Sequence, residues 1–198
     1  MTRKKKHILF YLSGLAQGGT ERVVVNLAEY FIEQGYIVTI ATTHKTEKEY
    51  LISNKIHRVL TSPGHDFISN SRVRNFFVRL KTLRKVLKDQ NPDVVVSFIG
   101  KNNMMAILAS TFLSIPVYVA VRGEPTEEYA GKMMRLVSKT LFYFSKGIIL
   151  QTKQSMDYFP KPLRKKCVIM KNPLKAEFLE ENNREHVENT IVTVGRCD

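Results

Sequence analysis

The run Ile8-Leu9-Phe10-Tyr11-Leu12 leads through a polar, glycine-containing turn, Ser13 to Arg22, straight into a segment with helical periodicity. Five consecutive apolar residues without alternation suit a strand buried on both faces, as at the centre of a parallel sheet. Val23, Val24, Leu27, Ala28, Phe31 and Ile32 then recur at helical spacing, opposite Asn26, Glu29 and Glu33. Thr20 is the expected helix N-cap, Glu21 complements the positive end of the helix dipole, and Gly35 ends the helix. A second apolar run, Tyr36 to Ala41, completes a βαβ unit, which commits the chain to the α/β class with a parallel sheet. In such a unit the glycine turn lies at the C-terminal end of the first strand. Gly18 and Gly19 there expose backbone N–H groups at a helix start, where a phosphate or sugar would meet them. Glycines at this place also serve simply to reverse the chain tightly. Their pattern is G-x-x-x-G-G rather than G-x-G-x-x-G, which does not indicate a nicotinamide or flavin cofactor.

The strand-then-polar rhythm continues. Glu47 to Leu51 predicts a short turn of helix, Ile56 to Leu60 a short strand, and Thr61 to Ser71 a loop containing Pro63, Gly64 and His65. Pro92 to Phe98 predicts a strand, with Ile99 to Asn103 as its exit loop and Met104 to Leu113 as the next helix. Val117 to Val121 follows as a strand ending in Arg122-Gly123-Glu124-Pro125. One helix is expected over Thr126 to Ser145, stopped by Gly147, then a strand Ile148 to Leu150, a brief helix Lys153 to Phe159 and a strand Cys167 to Met170. The predicted domain spans residues 1–175. Residues 176–190, rich in glutamate, read as an interdomain linker, and residues 191–198 as the first strand of a truncated second domain.

The formal net charge of +13 calls for an anionic partner: nucleic acid, an anionic membrane or a phosphate-bearing substrate. From Arg72 to Lys88, Arg72, Arg74, Arg79, Lys81, Arg84, Lys85 and Lys88 occur with no carboxylate, interleaved with Val73, Phe76, Phe77, Leu80, Leu83, Val86 and Leu87. This is a basic amphipathic helix, and its cationic face points to an anionic membrane surface. Phe76 and Phe77 are assigned to its core face, which argues against a nucleic-acid partner that would need exposed aromatics among the basic residues. The basic residues Arg3 to Lys6 resemble the start of a signal peptide, but the apolar run after them reads as a strand, and no stretch is long enough to cross a bilayer. Cys167 and Cys197, the only cysteines, and the five histidines lack metal or redox spacing, so no metal, no cofactor and a reducing cytoplasmic setting are expected.

Five segments together resemble the N-terminal half of the retaining glycosyltransferases called family 4. They are Gly18-Gly19-Thr20-Glu21-Arg22-Val23-Val24-Val25-Asn26-Leu27-Ala28, Pro92 to Phe98, Val121 to Pro125, Val168 to Leu174, and Ile191 to Arg196. The family includes sucrose and glycogen synthases and enzymes of capsule, O-antigen and exopolysaccharide assembly. The resemblance implies a Rossmann-like parallel sheet flanked by helices, the acceptor-side half of a GT-B fold whose second domain holds a nucleotide-diphosphate sugar. It places Gly18 and Gly19 near the donor phosphate and acceptor, and Ser97, Phe98 and Lys101 on the acceptor wall. Arg122 falls at a strand end where relatives carry arginine or histidine, and Arg196 at the second domain's first loop. The histidine that many relatives carry after the strand ending in Ser97-Phe98 has no counterpart here.

Sugar transfer from a nucleotide diphosphate leaves a multiply charged group, and backbone N–H donors aided by a guanidinium would stabilise that charge. Arg122 alternatively forms a structural pair with Glu124 or Glu21, and Lys101, Asn102 and Asn103 form a polar helix start. The expected function is retaining hexosyl transfer to a lipid-linked or polysaccharide acceptor, peripheral on the inner face of the cell membrane. This chain would supply the acceptor-binding half and be inactive alone, the donor-side catalytic glutamates lying elsewhere. The alternative is a noncatalytic acceptor-binding or regulatory module that pairs with another chain.

Overall fold

A computed structural model describes residues 5–62 and 71–172. Within them a seven-stranded sheet is formed by β1 (His7–Leu12), β2 (Ile37–Thr42), β3 (His57–Leu60), β4 (Val94–Phe98), β5 (Val117–Ala120), β6 (Gly147–Leu150) and β7 (Cys167–Ile169). Every pairing is parallel and the order is β3-β2-β1-β4-β5-β6-β7. The direction of winding reverses between β1 and β4, which pair with Ile8 against Val94. A crevice opens beyond the C-terminal ends of these two strands, because their exit loops lead to opposite faces.

The unbroken apolar runs follow from burial on both faces. Ile8, Phe10 and Leu12 of β1 join Val38 and Ile40 under Val24, Val25 and Ala28 of α1 (Gly19–Glu33). Leu9 and Tyr11 point the other way, into a core shared with α2 (Arg72–Gln90), α3 (Gly100–Ser110) and α5 (Lys132–Phe142). Two four-residue helices, α4 (Pro125–Glu128) and α6 (Lys161–Arg164), and a 3-10 turn at Gln154–Tyr158 complete the described elements.

Several local expectations are corrected. Gly18, not Thr20, is the N-cap of α1 and makes no side-chain capping bond; the Glu21 carboxylate lies over it in the space a Cβ would need. Residues 47–51 form no helix. Glu49 instead makes an isolated antiparallel bridge with Ala16, and the Tyr50 N–H donates to the Leu15 carbonyl at 2.9 Å, bracing the glycine turn. The exit loop after β4 is one residue long, since α3 begins at Gly100. The single helix expected over 126–145 is two helices, interrupted before Gly131, whose φ of 89° is left-handed and strained for any residue with a Cβ. Gly147 opens β6 rather than only stopping a helix, and its missing Cβ leaves room for the Tyr118 ring.

The basic helix also differs from its sequence reading. Only the second half of α2 packs into the core, through Leu83, Val86 and Leu87, while Phe76 and Phe77 remain 39% and 53% exposed. The ground on which nucleic acid was set aside, that these rings belong to the core, therefore does not hold. Arg84 is not on a free cationic face: it donates to the carbonyls of Ala109 at 2.9 Å and Thr111 at 2.6 Å, satisfying the C-terminal end of α3. The expected loop tip at Pro63 to His65, the linker 176–190, the strand 191–198 and Arg196 lie outside the described residues.

Candidate acceptor cleft

The exit loops of five strands are tied into one belt along the C-terminal edge of the sheet. At the β1 end, the first turn of α1 leaves the amides of Gly19, Thr20 and Glu21 without intrahelical acceptors, and nothing lies within 4 Å of the position a Gly19 Cβ would take. The Asn102 side chain crosses the crevice from α3, donating to Ser13 Oγ at 2.9 Å and to the Phe98 carbonyl at 3.2 Å. At the start of α3, Ile99 has φ 67° and ψ 123°, a costly conformation for a β-branched residue.

Glu128 carries the belt onward. Its carboxylate accepts the Gly100 N–H at 2.5 Å through one oxygen and the Arg122 and Gly123 amides at 3.3 and 3.2 Å through the other. One side chain on α4 thus fixes the exits of both β4 and β5. Arg122 follows, with its guanidinium donating to Asn172 Oδ1 after β7. The Gln151 amide after β6, oriented with its nitrogen toward the Arg122 carbonyl, donates to it at 2.9 Å and accepts from Arg122 Nη2 at 2.9 Å. Half-burial draws the Arg122 pKa below its usual value, against the opposing pull of Glu128. Arg122 therefore pairs with neither Glu124 nor Glu21.

The site residues expected from the sequence divide accordingly. Gly18, Gly19, Lys101 and Arg122 stand at the strand-exit edge, with Lys101 exposed. Ser97 and Phe98 do not line it: both are buried, and Ser97 Oγ donates to Asn103 Oδ1 at 2.8 Å. Asn103, also fully buried, donates to the Ala120 carbonyl at 3.0 Å and to the Tyr129 hydroxyl at 3.1 Å. This network underpins the belt from below, and burial holds the Tyr129 hydroxyl protonated far above its usual range.

Sequence reasoning missed the cleft that adjoins the belt. It encloses about 880 Å³ between the first turns of α2, the outer side of α3 and the first half of α5. Tyr11, Thr43 and Asn102 line its inner end, and Met104, Met105, Leu108, Met133, Met134 and Val137 give it an apolar interior. Arg72, Arg79, Lys101 and Lys132 ring it, and among the described residues the ion pairs found, Arg58 with Glu49 and Arg164 with Asp157, involve none of these four. The missed signal was the pairing of Met104-Met105 with Met133-Met134 on helices that the sequence does not show to be neighbours. No three His, Cys, Asp or Glu side chains gather as a metal site among the described residues, and no described helix is long and apolar enough to cross a membrane.

The fold and the strand-exit crevice define a Rossmann-like domain of the N-terminal GT-B type. Solved structures share this architecture: MurG of Acinetobacter baumannii at TM-score 0.63 and 17% identity, covering 90% of this chain and 47% of that one, and Anabaena Alr3699/HepE in complex with UDP-glucose at TM-score 0.68 and 13% identity, covering 89% and 46%. The sequence profile of Glycosyltransferase Family 4 matches residues 17–170, and the chain belongs to that family. A curated relative in Campylobacter jejuni, the GalNAc-alpha-(1->4)-GalNAc-alpha-(1->3)-diNAcBac-PP-undecaprenol alpha-1,4-N-acetyl-D-galactosaminyltransferase, is 23% identical over 193 residues, 96% of this chain and 53% of its own length. The Staphylococcus aureus UDP-N-acetylglucosamine--N-acetylmuramyl-(pentapeptide) pyrophosphoryl-undecaprenol N-acetylglucosamine transferase is 26% identical over 183 residues, 87% of this chain and 46% of its own. The chain spans about half the length of the curated relatives it matches.

Proposed function

We propose that this chain is the acceptor-binding half of a retaining glycosyltransferase that moves a hexosyl group from a nucleotide-diphosphate sugar to a lipid-linked or polysaccharide acceptor at the cytoplasmic membrane face. The observation that carries the proposal is the adjacency, through the Asn102 to Ser13 hydrogen bond, of the open glycine turn and a cation-rimmed apolar cleft. Free amides at the start of α1 suit an anionic oxygen, and the belt holds them in place before a ligand arrives. Both curated relatives carry undecaprenyl diphosphate acceptors in their names, which favours the lipid-linked alternative. The donor pocket and the glutamates beside it belong, on this proposal, to a second domain.

Transfer from a panel of nucleotide sugars to an undecaprenyl diphosphate-linked acceptor is measured with this chain alone and with a separately made donor-binding domain added. The expected result is turnover only on reconstitution, abolished by Gly19→Val, whose side chain would project into the open space above the turn. Robust turnover by the chain alone refutes the half-site assignment. Failure to retain the acceptor in either setting refutes acceptor binding.

A further inference from the structure

We propose that the cleft between α2, α3 and α5 takes up the first stretch of hydrocarbon of a single-chain lipid phosphate, with the phosphate held at its rim by Arg79 and Lys101. The inference rests on the lipid-linked reading of the acceptor and adds to it a place for the chain inside the protein. An acceptor glycan alone would select a polar groove, whereas the interior here is methionine, leucine and valine. Thioether side chains are flexible and polarisable, so they adapt to a hydrocarbon of irregular shape. The size is within the range of ligand pockets, and the cleft is open rather than sealed, as a chain entering lengthwise requires.

The connection to the glycine turn fixes which end of the lipid goes where. Lys101 stands in the first turn of α3, one residue before the Asn102 that reaches the glycine turn, so the phosphate end belongs at the sheet edge. Arg79 also faces this end, close enough to act electrostatically on the Tyr11 hydroxyl. Phe76 of α2 and Met133 and Val137 of α5, the last two 79% and 41% accessible, give the hydrocarbon an apolar wall open to solvent. Leu136 of α5 and Phe144 just after it are also exposed, at 68% and 74%, and neither lines the cleft. A lipid seated this way delivers the group beyond its phosphate to Gly18 and Gly19.

The chain contains no tryptophan, which supplies a clean reporter. Val137→Trp places one indole at the cleft, and Phe144→Trp places one on the exposed surface outside it. In vesicle-free buffer, farnesyl diphosphate below its micelle-forming concentration is expected to shift the emission of the first variant to the blue and leave the second unchanged. Inorganic pyrophosphate should produce no shift, and Arg79→Ala with Lys101→Ala should weaken farnesyl diphosphate about tenfold while leaving farnesol unaffected. Leu108→Trp, which fills the cleft, should prevent protection of the protein from thermal unfolding by farnesyl diphosphate. Equal responses from both reporters, or no response from Val137→Trp in a folded protein, overturn the cleft assignment. Binding to anionic vesicles is measured in parallel: vesicle binding without a farnesyl diphosphate response removes the cleft and keeps the membrane reading, and loss of both removes both.

Discussion

The glycine turn is held from behind by one ion pair, and its removal has a calculable effect. Arg58 on β3 grips the Glu49 carboxylate with two hydrogen bonds, Nη1 to Oε2 at 2.7 Å and Nη2 to Oε1 at 3.0 Å, while Glu49 bridges Ala16 in the turn. Hydrogen bonding from Arg58 holds the Glu49 pKa at about 2, against an ordinary value of 4.5, despite the opposing effect of burial. At about 1.36 kcal/mol per pH unit, that difference sets a ceiling near 3 kcal/mol on the pair's linkage to folding. The two side chains are 18% and 10% exposed, and the residual water reduces the figure to about 2 kcal/mol. A carboxylate with a depressed folded pKa contributes fully above its unfolded pKa and loses that contribution as pH falls. The stabilisation should therefore be complete above pH 4.5 and vanish by about pH 2. Glu49→Gln should lower the melting temperature by roughly 4–8 °C at neutral pH, and its deficit should close on acidification. The Tyr50 amide, bonded to Leu15 in the turn, should exchange faster in the variant. A deficit that does not change with pH, or one below about 0.5 kcal/mol at neutral pH, would refute the assignment of the stabilisation to this charge pair.

Two further outcomes follow from groups beneath and beside the belt. Asn103→Ala strips partners from buried Ser97, the Ala120 carbonyl and the Tyr129 hydroxyl, and should cost about 2–4 kcal/mol in denaturant unfolding, whereas Ser97→Ala, which orphans the buried Asn103 Oδ1 alone, should cost about 1–2 kcal/mol. Burial pushes the Cys167 thiol up to about 11, so iodoacetamide followed by peptide mass spectrometry should find it slow to react near pH 8 and fast only as the pH approaches that value.

The parts of the fold that depend on local period were legible, and those that depend on backbone groups meeting across the chain were not. β1 and α1 could be read because Ile8 to Leu12 and Val23 to Ile32 each satisfy their own geometry within a few residues. Gly131 gave too little warning, since one glycine among Tyr129, Lys132 and Met133 does not reveal that its φ is positive. Glu128 was invisible as a site residue for a deeper reason. Its acceptors' partners are the amides of Gly100, Arg122 and Gly123, and a backbone N–H has no signature in a sequence. Ser97 and Phe98 were misplaced because successive strand residues point to opposite faces, and the sequence did not say that both faces would be covered as far as the strand's last residues, leaving both buried.

Charge shows the same division and changes the argument about partners. A net charge of +13 counts every cation alike, yet the fold commits many of them. Arg58 is paired with Glu49 and Arg164 with Asp157, Arg84 closes the end of α3, and Lys166 Nζ donates to the carbonyls of Tyr143 and Ser145 at 2.6 and 2.9 Å. Those groups are already spent on carboxylates and helix-end carbonyls, so they offer an anion little. Arg72, Arg79, Lys101 and Lys132 instead surround apolar walls, where a bound phosphate would be screened less than on an open surface. Neutralising Arg79 should therefore weaken binding to anionic vesicles at roughly physiological ionic strength, whereas neutralising Lys81, on the same helix but away from the cleft lining, should matter chiefly at low salt. Equal losses from the two changes at both ionic strengths would mean that the helix acts through its total charge and that the cleft confers no selectivity.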